Sequence, residues 1–312
     1  MLHLLQENID ITHLSNYKTP SQALYLYEIK DKNWLSQLSK VYDFAITNKL
    51  PVLIVSSWTN MLFAFDIYEG IVVHNRLSWW SYDVETKMLT TYGAESIWEI
   101  AEVLEQKYNQ DIWHRFIWLP WSIAWAIYGN AWCFWLETSS NFSSCDVYNM
   151  KTWVHNTLSS EDMNFGYRYS VLKERDELYL VSAVFDLSHV VEKYNSNVDN
   201  IHFREHMQPK WNSCWSFFKN PKIDREDFLR SNPELSKICP KNISAWFLLE
   251  QVWLKGFSYW GAYFSDIHTN FLMHNWQWKW TDMLHLIQLA EQKVWESFWV
   301  RIENEVKIIY SN

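Results

Sequence analysis

The chain has 312 residues, a formal net charge of −9, 48% hydrophobic residues and 20% charged residues. This composition is typical of a globular protein of two or three domains and excludes a disordered chain. The acidic balance, without a basic stripe, argues against nucleic acid as a partner.

Helical and strand patterns are mixed along the chain. Apolar residues at helical spacing predict helices over residues 35–48, 95–107, 224–230, 244–252 and 281–298, the last with Thr281 as its cap. Short apolar or alternating runs predict strands over residues 52–55, 71–74, 82–91, 177–187 and 300–309. We therefore expect an α+β fold, with a boundary in the polar stretch at residues 190–205.

The cellular compartment and the absence of a metal are inferred from sequence features that are missing. It has no run of about 18 apolar residues and no basic segment leading into an apolar one at its start, so we expect neither a membrane span nor a cleaved secretion signal. The four cysteines are scattered, without disulfide or metal spacing. We expect reduced thiols, a cytoplasmic protein and no metal.

The tryptophan content is anomalous. The chain has 22 Trp and only 6 Gly, whereas glycine usually makes up about 7% of residues. Many of the tryptophans occupy glycine positions: Asn33-Trp34, Ser57-Trp58 and Asn275-Trp276 would be turn signals with Gly second, and Trp299 follows a helix. Our hypothesis is that most of these Trp stand for Gly, because the gene uses UGA as a glycine codon.

A surface of tryptophans that binds sugars or single-stranded nucleic acid is the alternative interpretation. It predicts Trp at strand or helix spacing, which is not observed. Energetics favour recoding, since overpacking costs about 1–3 kcal/mol per site and a forced positive φ about 1–2 kcal/mol, against a total stability of about 5–15 kcal/mol. Trp98, Trp113 and one of Trp79 and Trp80 are the candidates for genuine tryptophan.

One segment is a candidate for binding phosphate groups, and a second segment resembles a known family. A strand runs into Ser56-Ser57-Trp58-Thr59-Asn60, where bare backbone amides in a tight turn can hold phosphates, although a plain turn explains this segment equally well. With Gly for Trp, residues 118–135 become GLPGSIAGAIYGNAGCFG. This segment resembles the flavin-binding core of the UDP-N-acetylenolpyruvoylglucosamine reductases, the MurB family.

Further motifs resemble the same family, in order, over residues of roughly 20–310. Tyr167-Arg168-Tyr169-Ser170 is similar to its Tyr-Arg-x-Ser segment, and residues 215–221, with Gly at 215, match its Gly-Ser-Phe-Phe-Lys-Asn-Pro. Residues 245–256 and 268–271 resemble its substrate domain, and residues 303–307 its C-terminal Glu-Pro-Glu-Val-Arg. Restoring Gly improves nearly every match, which supports the recoding hypothesis.

The resemblance implies a two-part FAD-binding domain of the PCMH/MurB type, followed by a smaller α+β substrate-binding domain. The expected boundaries are 1–65 and 66–195 for the two FAD-binding parts and 196–312 for the substrate domain, which ends in a closing catalytic strand. The residues that it implies around FAD are Ser56, Ser57, Trp58, Thr59, Asn60, Met61, Pro120, Trp121, Ser122, Trp125, Ala126, Asn130 and Trp132.

The implied activity is the reduction of UDP-N-acetylglucosamine enolpyruvate to UDP-N-acetylmuramate in peptidoglycan precursor synthesis. In the family NADPH passes a hydride to FAD, which passes it to C3 of the enolpyruvyl ether. The implied catalytic residues are Arg168 and Glu305, which stabilise the developing enolate, and Ser216, which protonates C2. The implied substrate-binding residues are Tyr167, Lys210, Asn220 and Lys307. We expect a monomer.

The chain departs from the family at several substrate positions. Met207 falls where a lysine is common, which leaves open whether Lys210 compensates, and Tyr263 stands where glutamine is frequent. Asn304 replaces proline, and Lys307 replaces arginine, keeping the charge but losing the bidentate fork. Two other functions stay open: a Trp-rich carbohydrate-binding module without catalysis, and another FAD oxidoreductase of the same architecture.

Overall fold

The structure is a computed structural model that describes residues 2–30, 33–56, 60–188, 197–209 and 213–311. Within these ranges the α-helices are α1 (Trp34–Asn48), α2 (Ile97–Tyr108), α3 (Ile123–Tyr128), α4 (Asn197–Met207), α5 (Arg225–Ser231), α6 (Ala245–Gln251) and α7 (Trp280–Phe298). The strands are β1 (Gln6–Asp10), β2 (Gln22–Ile29), β3 (Val52–Ser56), β4 (Met61–Ala64), β5 (Ile67–Asn75), β6 (Trp80–Tyr82), β7 (Met88–Tyr92), β8 (Trp132–Cys133), β9 (Leu136–Glu137), β10 (Phe142–Asn149), β11 (His155–Ser159), β12 (Leu178–Asp186), β13 (Ser258–Tyr259), β14 (Ala262–Phe264), β15 (Leu272–His274) and β16 (Lys307–Tyr310).

The first sheet has the strand order β1-β2-β5-β3, in which β5 runs parallel to both β2 and β3. Helix α1 connects β2 to β3, which lie on either side of β5 and run in the same direction, so the connection has to cross over the sheet. Its apolar face packs on the sheet, with Leu38 and Val41 in one core cluster with Ile71 and Val73. The carboxyl end of β3 is Ser56, the residue that opens the predicted phosphate-binding turn.

The second sheet is antiparallel, with the order β11-β10-β12-β7-β6. Helix α2 and the 3₁₀ helix Ile112–Phe116 pack on it through a large apolar cluster that includes Ile100, Leu104 and Phe185. Helix α3 begins after Ser122, whose side chain accepts a hydrogen bond from the Trp125 amide and so caps the helix.

The C-terminal part has a sheet of its own, β13-β14-β15, covered by α6 and α7 around a separate apolar cluster. The last strand, β16, leaves this part and pairs in parallel with β4, with Lys307 opposite Met61. This pairing brings the end of the chain against the segment that follows the predicted phosphate-binding turn. The predicted domain boundaries stay a prediction, and the one after residue 195 adjoins residues 189–196, outside the described ranges.

The helices predicted over 35–48, 95–107, 224–230, 244–252 and 281–298 are confirmed to within two residues at each end. Three details were wrong. Residues 82–91 form a hairpin with a turn after Tyr82, because Asp83 accepts hydrogen bonds from the amides of Glu85 and Thr86. The closing strand begins only at Lys307, since the residues before it bind the Phe217–Lys219 backbone instead. Helix α7 starts at Trp280, so Thr281 lies inside it.

Among the residues that the structure describes, seven tryptophans have a left-handed backbone, with φ between 47° and 70°: Trp118, Trp135, Trp153, Trp215, Trp253, Trp260 and Trp299. Only glycine adopts this conformation without steric cost. Trp299 is the left-handed residue that ends α7, and its ring is 76% exposed. At these seven positions the backbone has the geometry of glycine.

Other tryptophans behave as ordinary core residues. Trp113 is 1% exposed and packs edge-on against Phe116 and Phe185. Trp34 differs from the expected turn glycine, since it begins α1 and its ring packs on Tyr148 and Tyr179.

Candidate active site

The two segments expected around the cofactor meet in the interior. Ser56, at the end of β3, and Ser122, at the start of α3, place their hydroxyl oxygens 2.6 Å apart. Both residues are buried. The carboxyl end of a parallel strand therefore meets the N-terminus of a helix, which is a common place for ligands to bind in open sheets.

A cavity of about 310 Å³ opens beside this contact, at the lower end of the range for ligand pockets. Its lining includes Ser56, Met61, Trp125, Tyr128 and Lys307. Two buried polar atoms close to this segment of the chain, Asn60 Oδ1 and Trp121 Nε1, have no hydrogen-bond partner among the residues that the structure describes. Buried polar atoms normally have partners, so these atoms favour a polar ligand.

The polar groups around the cavity fit a flavin dinucleotide. The cavity is too small for a dinucleotide while the Trp125 indole takes up part of the space. Trp125 lines the cavity and stacks on Tyr128, with ring centroids 5.0 Å apart. Glycine at 121 and 125 would clear the start of α3 and let a dinucleotide approach the backbone. Ser57, Trp58 and Thr59 lie outside the described residues, so their predicted contacts stay predictions.

Other residues predicted at the cofactor have different surroundings. The Pro120 carbonyl accepts a hydrogen bond from Asn16, and Ala126 is buried in α3. The Asn130 amide nitrogen donates to Glu137 and to the carbonyl of Gly166, at 3.1 Å each. Trp132 is 40% exposed on β8. Their side chains, like those of Asn60, Trp121 and Ser122, are not among those that line the cavity, and a role in cofactor binding stays a prediction.

Arg168 and Glu305 form a largely buried ion pair, with Arg168 Nε 2.7 Å from Glu305 Oε1. Burial opposes the charge of the guanidinium, but Glu305 beside it raises the pKa of Arg168 above its usual value. Arg168 Nη1 is buried and lacks a hydrogen-bond partner within the described part of the chain. The guanidinium therefore keeps a donor that an anionic ligand could accept from.

The Ser216 segment is tied to the same carboxylate residue. Phe217, the next residue along the chain, accepts a hydrogen bond from the Glu305 amide at 2.7 Å. Ser216 itself forms an isolated bridge with Phe271. The three residues predicted to be catalytic thus come from three distant parts of the chain and lie on segments in direct contact.

Asn270 holds this segment in place. Its side-chain oxygen accepts from the Phe218 amide at 2.9 Å, its side-chain nitrogen donates to the Phe218 carbonyl at 2.8 Å, and its own carbonyl accepts from the Phe217 amide. Asn270 is 3% exposed. The sequence analysis included this residue in a motif but assigned it no role.

Two of the predicted substrate-binding residues lie together. The Tyr167 hydroxyl accepts a hydrogen bond from the Asn220 amide at 3.1 Å, and the Asn220 side chain accepts from the Ala245 amide. Lys307 Nζ lies 5.4 Å from the centre of the Tyr128 ring, at the cavity. Lys210 lies outside the described residues.

The sequence analysis missed Lys173 and Tyr128. Lys173 ends the 3₁₀ helix Val171–Lys173 and lines the cavity. Its Nζ lies 5.2 Å from the centre of the Tyr128 ring. Tyr128 lies in the segment 118–135 without an assigned role, and Lys173 lies in no motif, since their role depends on contacts between separate segments.

The described residues contain no group of three or more His, Cys, Asp or Glu side chains placed to hold a metal ion. None of their helices combines the length and the apolar character that crossing a membrane requires.

Known proteins with similar sequences share one description. Residues 208–309 match the family of the UDP-N-acetylenolpyruvoylglucosamine reductase C-terminal domain. The chain is 25% identical to the UDP-N-acetylenolpyruvoylglucosamine reductase of Prochlorococcus marinus, over 97% of both chains. It is 24% identical to the protein of the same name from Chlamydia muridarum, over 98% of this chain and 94% of that protein.

The fold matches a solved structure over almost its whole length. The crystal structure of UDP-N-acetylenolpyruvylglucosamine reductase (MurB) from Thermus caldophilus superposes with a TM-score of 0.71 at 16% identity. The match covers 97% of this chain and 99% of that one. The expected MurB-type α+β fold is therefore confirmed.

Proposed function

The chain belongs to the UDP-N-acetylenolpyruvoylglucosamine reductase family, and we propose from this premise that it reduces an enolpyruvyl UDP-sugar to UDP-N-acetylmuramate with NADPH as hydride donor. The observation that carries the proposal is the contact of Arg168, Glu305 and the Ser216 segment. Neither a carbohydrate-binding module nor a different flavin oxidoreductase accounts for these three residues together.

We propose that Ser56, Asn60, Met61 and Ser122 hold FAD, together with the backbone at the start of α3. When bound there, FAD supplies the hydride chemistry between NADPH and C3 of the enolpyruvyl ether. The protein's contribution is to orient the substrate and to manage charge and protons at C2.

Arg168 stabilises the negative charge that develops on the substrate. Hydride addition at C3 leaves carbanion character at C2, which delocalises into the adjacent carboxylate. The unpartnered Nη1 of Arg168 is a fixed, charged donor for that carboxylate, and Glu305 orients the guanidinium through Nε. A fixed donor in a buried site costs little reorganisation as the charge develops.

Ser216 donates the proton to C2 in this proposal. Its hydroxyl is a weak acid in water, so it can act as the proton donor only because it is placed beside the forming enolate. Asn270 and Glu305 both bind the backbone of Phe217 or Phe218, which fixes the segment that carries Ser216. Tyr167, Asn220 and Lys307 bind the substrate, with Lys210 as a further candidate.

The direct test measures NADPH oxidation by the purified holoprotein with and without the enolpyruvyl UDP-sugar. Oxidation that depends on this substrate and yields UDP-N-acetylmuramate supports the proposal. A bound flavin that NADPH reduces, without substrate-dependent turnover, would instead favour a different flavin oxidoreductase. The monomeric state, the cytoplasmic location and the lack of a nucleic-acid partner belong to the same proposal.

We also infer that the native polypeptide carries glycine at most of the tryptophan positions. The seven left-handed tryptophans and the indole in the cavity support this inference. Intact-mass measurement of the native protein, or the codons at these positions, tests it directly: indoles at 121, 125 and 215, or UGG codons there, would contradict it.

A further inference from the structure

Lys173 is a charged residue to which the proposed reaction assigns no role. Its side chain reaches back along the chain, and Nζ donates a hydrogen bond to the carbonyl oxygen of Arg168 at 2.7 Å. The residue is half-buried and lines the cavity beside Tyr128. It therefore contacts the main chain of the residue whose guanidinium faces Glu305.

The Arg168 backbone lies in a tight turn that two backbone hydrogen bonds between Gly166 and Tyr169 close, and Lys173 adds a third contact to it. Its φ of 55° lies in the left-handed region, where a residue with a side chain meets its own carbonyl. Strained backbone conformations persist where the surroundings hold them, and they cluster at functional sites. The left-handed turn of Arg168 directs its side chain, so a contact that holds the turn also holds the guanidinium.

The 3₁₀ helix that carries Lys173 is itself anchored. Ser170 precedes it, is fully buried and donates its hydroxyl to the Tyr128 carbonyl at 2.9 Å. The Leu172 side chain is buried within the large apolar cluster. Lys173 thus projects from a fixed support, and its hydrogen bond can restrain the more exposed turn at Arg168.

The electrostatic surroundings make Lys173 unusual. Arg168, Lys219, Lys307 and Glu305 are the charged groups that act on it. Burial, followed by the repulsion of Lys219, lowers the pKa of Lys173 to about 8. Holding an ammonium ion near three other cations costs electrostatic free energy. Lys173 is therefore better explained by the hydrogen bond that it makes than by a contribution to overall stability.

We propose that Lys173 is a positioning residue that fixes the Arg168 main chain and so holds the guanidinium against Glu305. This inference rests on the proposed function, because the reaction supplies its assay. Lys173 does not need to touch the substrate for this role.

The test compares Lys173→Met, which keeps an unbranched apolar stem but removes the terminal donor, with Lys173→Arg, which keeps the charge. Lys237→Met, at an exposed lysine outside the site, is the matched control. We expect Lys173→Met to lower kcat for substrate reduction by about 10²-fold, the cost of a small misplacement in an active site. The KM for NADPH and the reduction of the flavin by NADPH alone should stay within about threefold of the wild type.

A pH profile provides the readout that a merely structural role would not move. In the wild type kcat should fall as pH rises through about 8, because the neutral amine of Lys173 is a weaker hydrogen-bond donor to the Arg168 carbonyl than the ammonium ion. Lys173→Arg should restore kcat and move this alkaline limb upward, since arginine stays protonated. This comparison also serves if Lys173→Met fails to fold.

A crystal structure of Lys173→Met gives a test that is independent of turnover. We expect the separation of Arg168 Nε and Glu305 Oε1 to exceed the 2.7 Å of the wild type. Wild-type kcat in Lys173→Met, or an alkaline limb that is the same in Lys173→Arg and the wild type, overturns the inference. A wild-type enzyme that reduces no enolpyruvyl UDP-sugar would overturn the proposed function instead.

Discussion

The amide of Glu305 donates a hydrogen bond to the carbonyl of Phe217 at 2.7 Å, while the Glu305 carboxylate holds Arg168 at the same distance. One residue near the end of the chain therefore contacts both the segment that carries the proposed proton donor and the proposed stabiliser of negative charge. Glu305 therefore links the two segments through its backbone on one side and through its side chain on the other.

Replacing Ser216 by alanine should separate the two halves of the reaction. The variant should still let NADPH reduce the flavin, because in the proposed reaction the hydroxyl acts only when C2 takes its proton. Reduction of the enolpyruvyl UDP-sugar should fall by about 10²–10⁴-fold, the usual contribution of a positioned acid. Stopped-flow absorbance of the flavin follows both steps. Ser236→Ala, at an exposed serine, should leave both rates unchanged, and full substrate reduction by Ser216→Ala would remove the assigned role.

Asn270→Ala should destabilise the protein and slow substrate reduction together. The change leaves the buried amide and carbonyl of Phe218 without their partners, and an unsatisfied buried group costs about 1–3 kcal/mol. Urea unfolding should show a loss of about 2–4 kcal/mol in the free energy of unfolding. Asn242→Ala, at an exposed asparagine, is the control and should lose less than about 0.5 kcal/mol. Equal stability of the two variants would contradict the assigned role of Asn270.

Two tryptophan substitutions should have opposite effects on stability. Trp299→Gly relieves a left-handed backbone at the end of α7, where the side chain is 76% exposed. It should therefore gain about 1 kcal/mol. Trp113→Gly removes a buried ring from the core and should lose about 3–5 kcal/mol. Urea unfolding of both variants in the chain as written measures the difference. A loss of stability at 299 similar to that at 113 would argue that both tryptophans are genuine.

Stability should fall in acid partly through His74. Burial lowers the pKa of this imidazole to about 4 from its ordinary value of 6.5, although Glu28 lies nearby. The unfolded chain binds a proton at His74 below about 6.5 while the folded chain does not, so the free energy of unfolding falls as pH drops from 6.5 towards 4. In His74→Gln this part of the decrease, up to about 3 kcal/mol, should be absent.

Much of the local structure could be predicted because its causes are local. The helix predicted over 35–48 matches α1, since its apolar spacing and its end at the left-handed Lys49 depend on neighbouring residues. The strand predicted over 300–309 was too long, because residues 303–306 bind the Phe217–Lys219 backbone rather than a neighbouring strand. An extended apolar pattern does not say which partner its hydrogen bonds will find.

The order of the motifs and the glycine-like positions of many tryptophans were readable from the residues alone, because each depends on residue type and short spacing. The candidates Arg168, Ser216 and Glu305 came from the resemblance of their motifs to a known family. Only the folded chain decided that Ser56 meets Ser122, that Asn270 binds the main chain beside Ser216 and that Lys173 supports Arg168. These contacts join segments or turns whose relative positions are set by burial of two apolar cores and by the pairing of β16 with β4. The burial of apolar surface is not directional, so it brings the segments together without producing a sequence pattern in any one of them that names its partner.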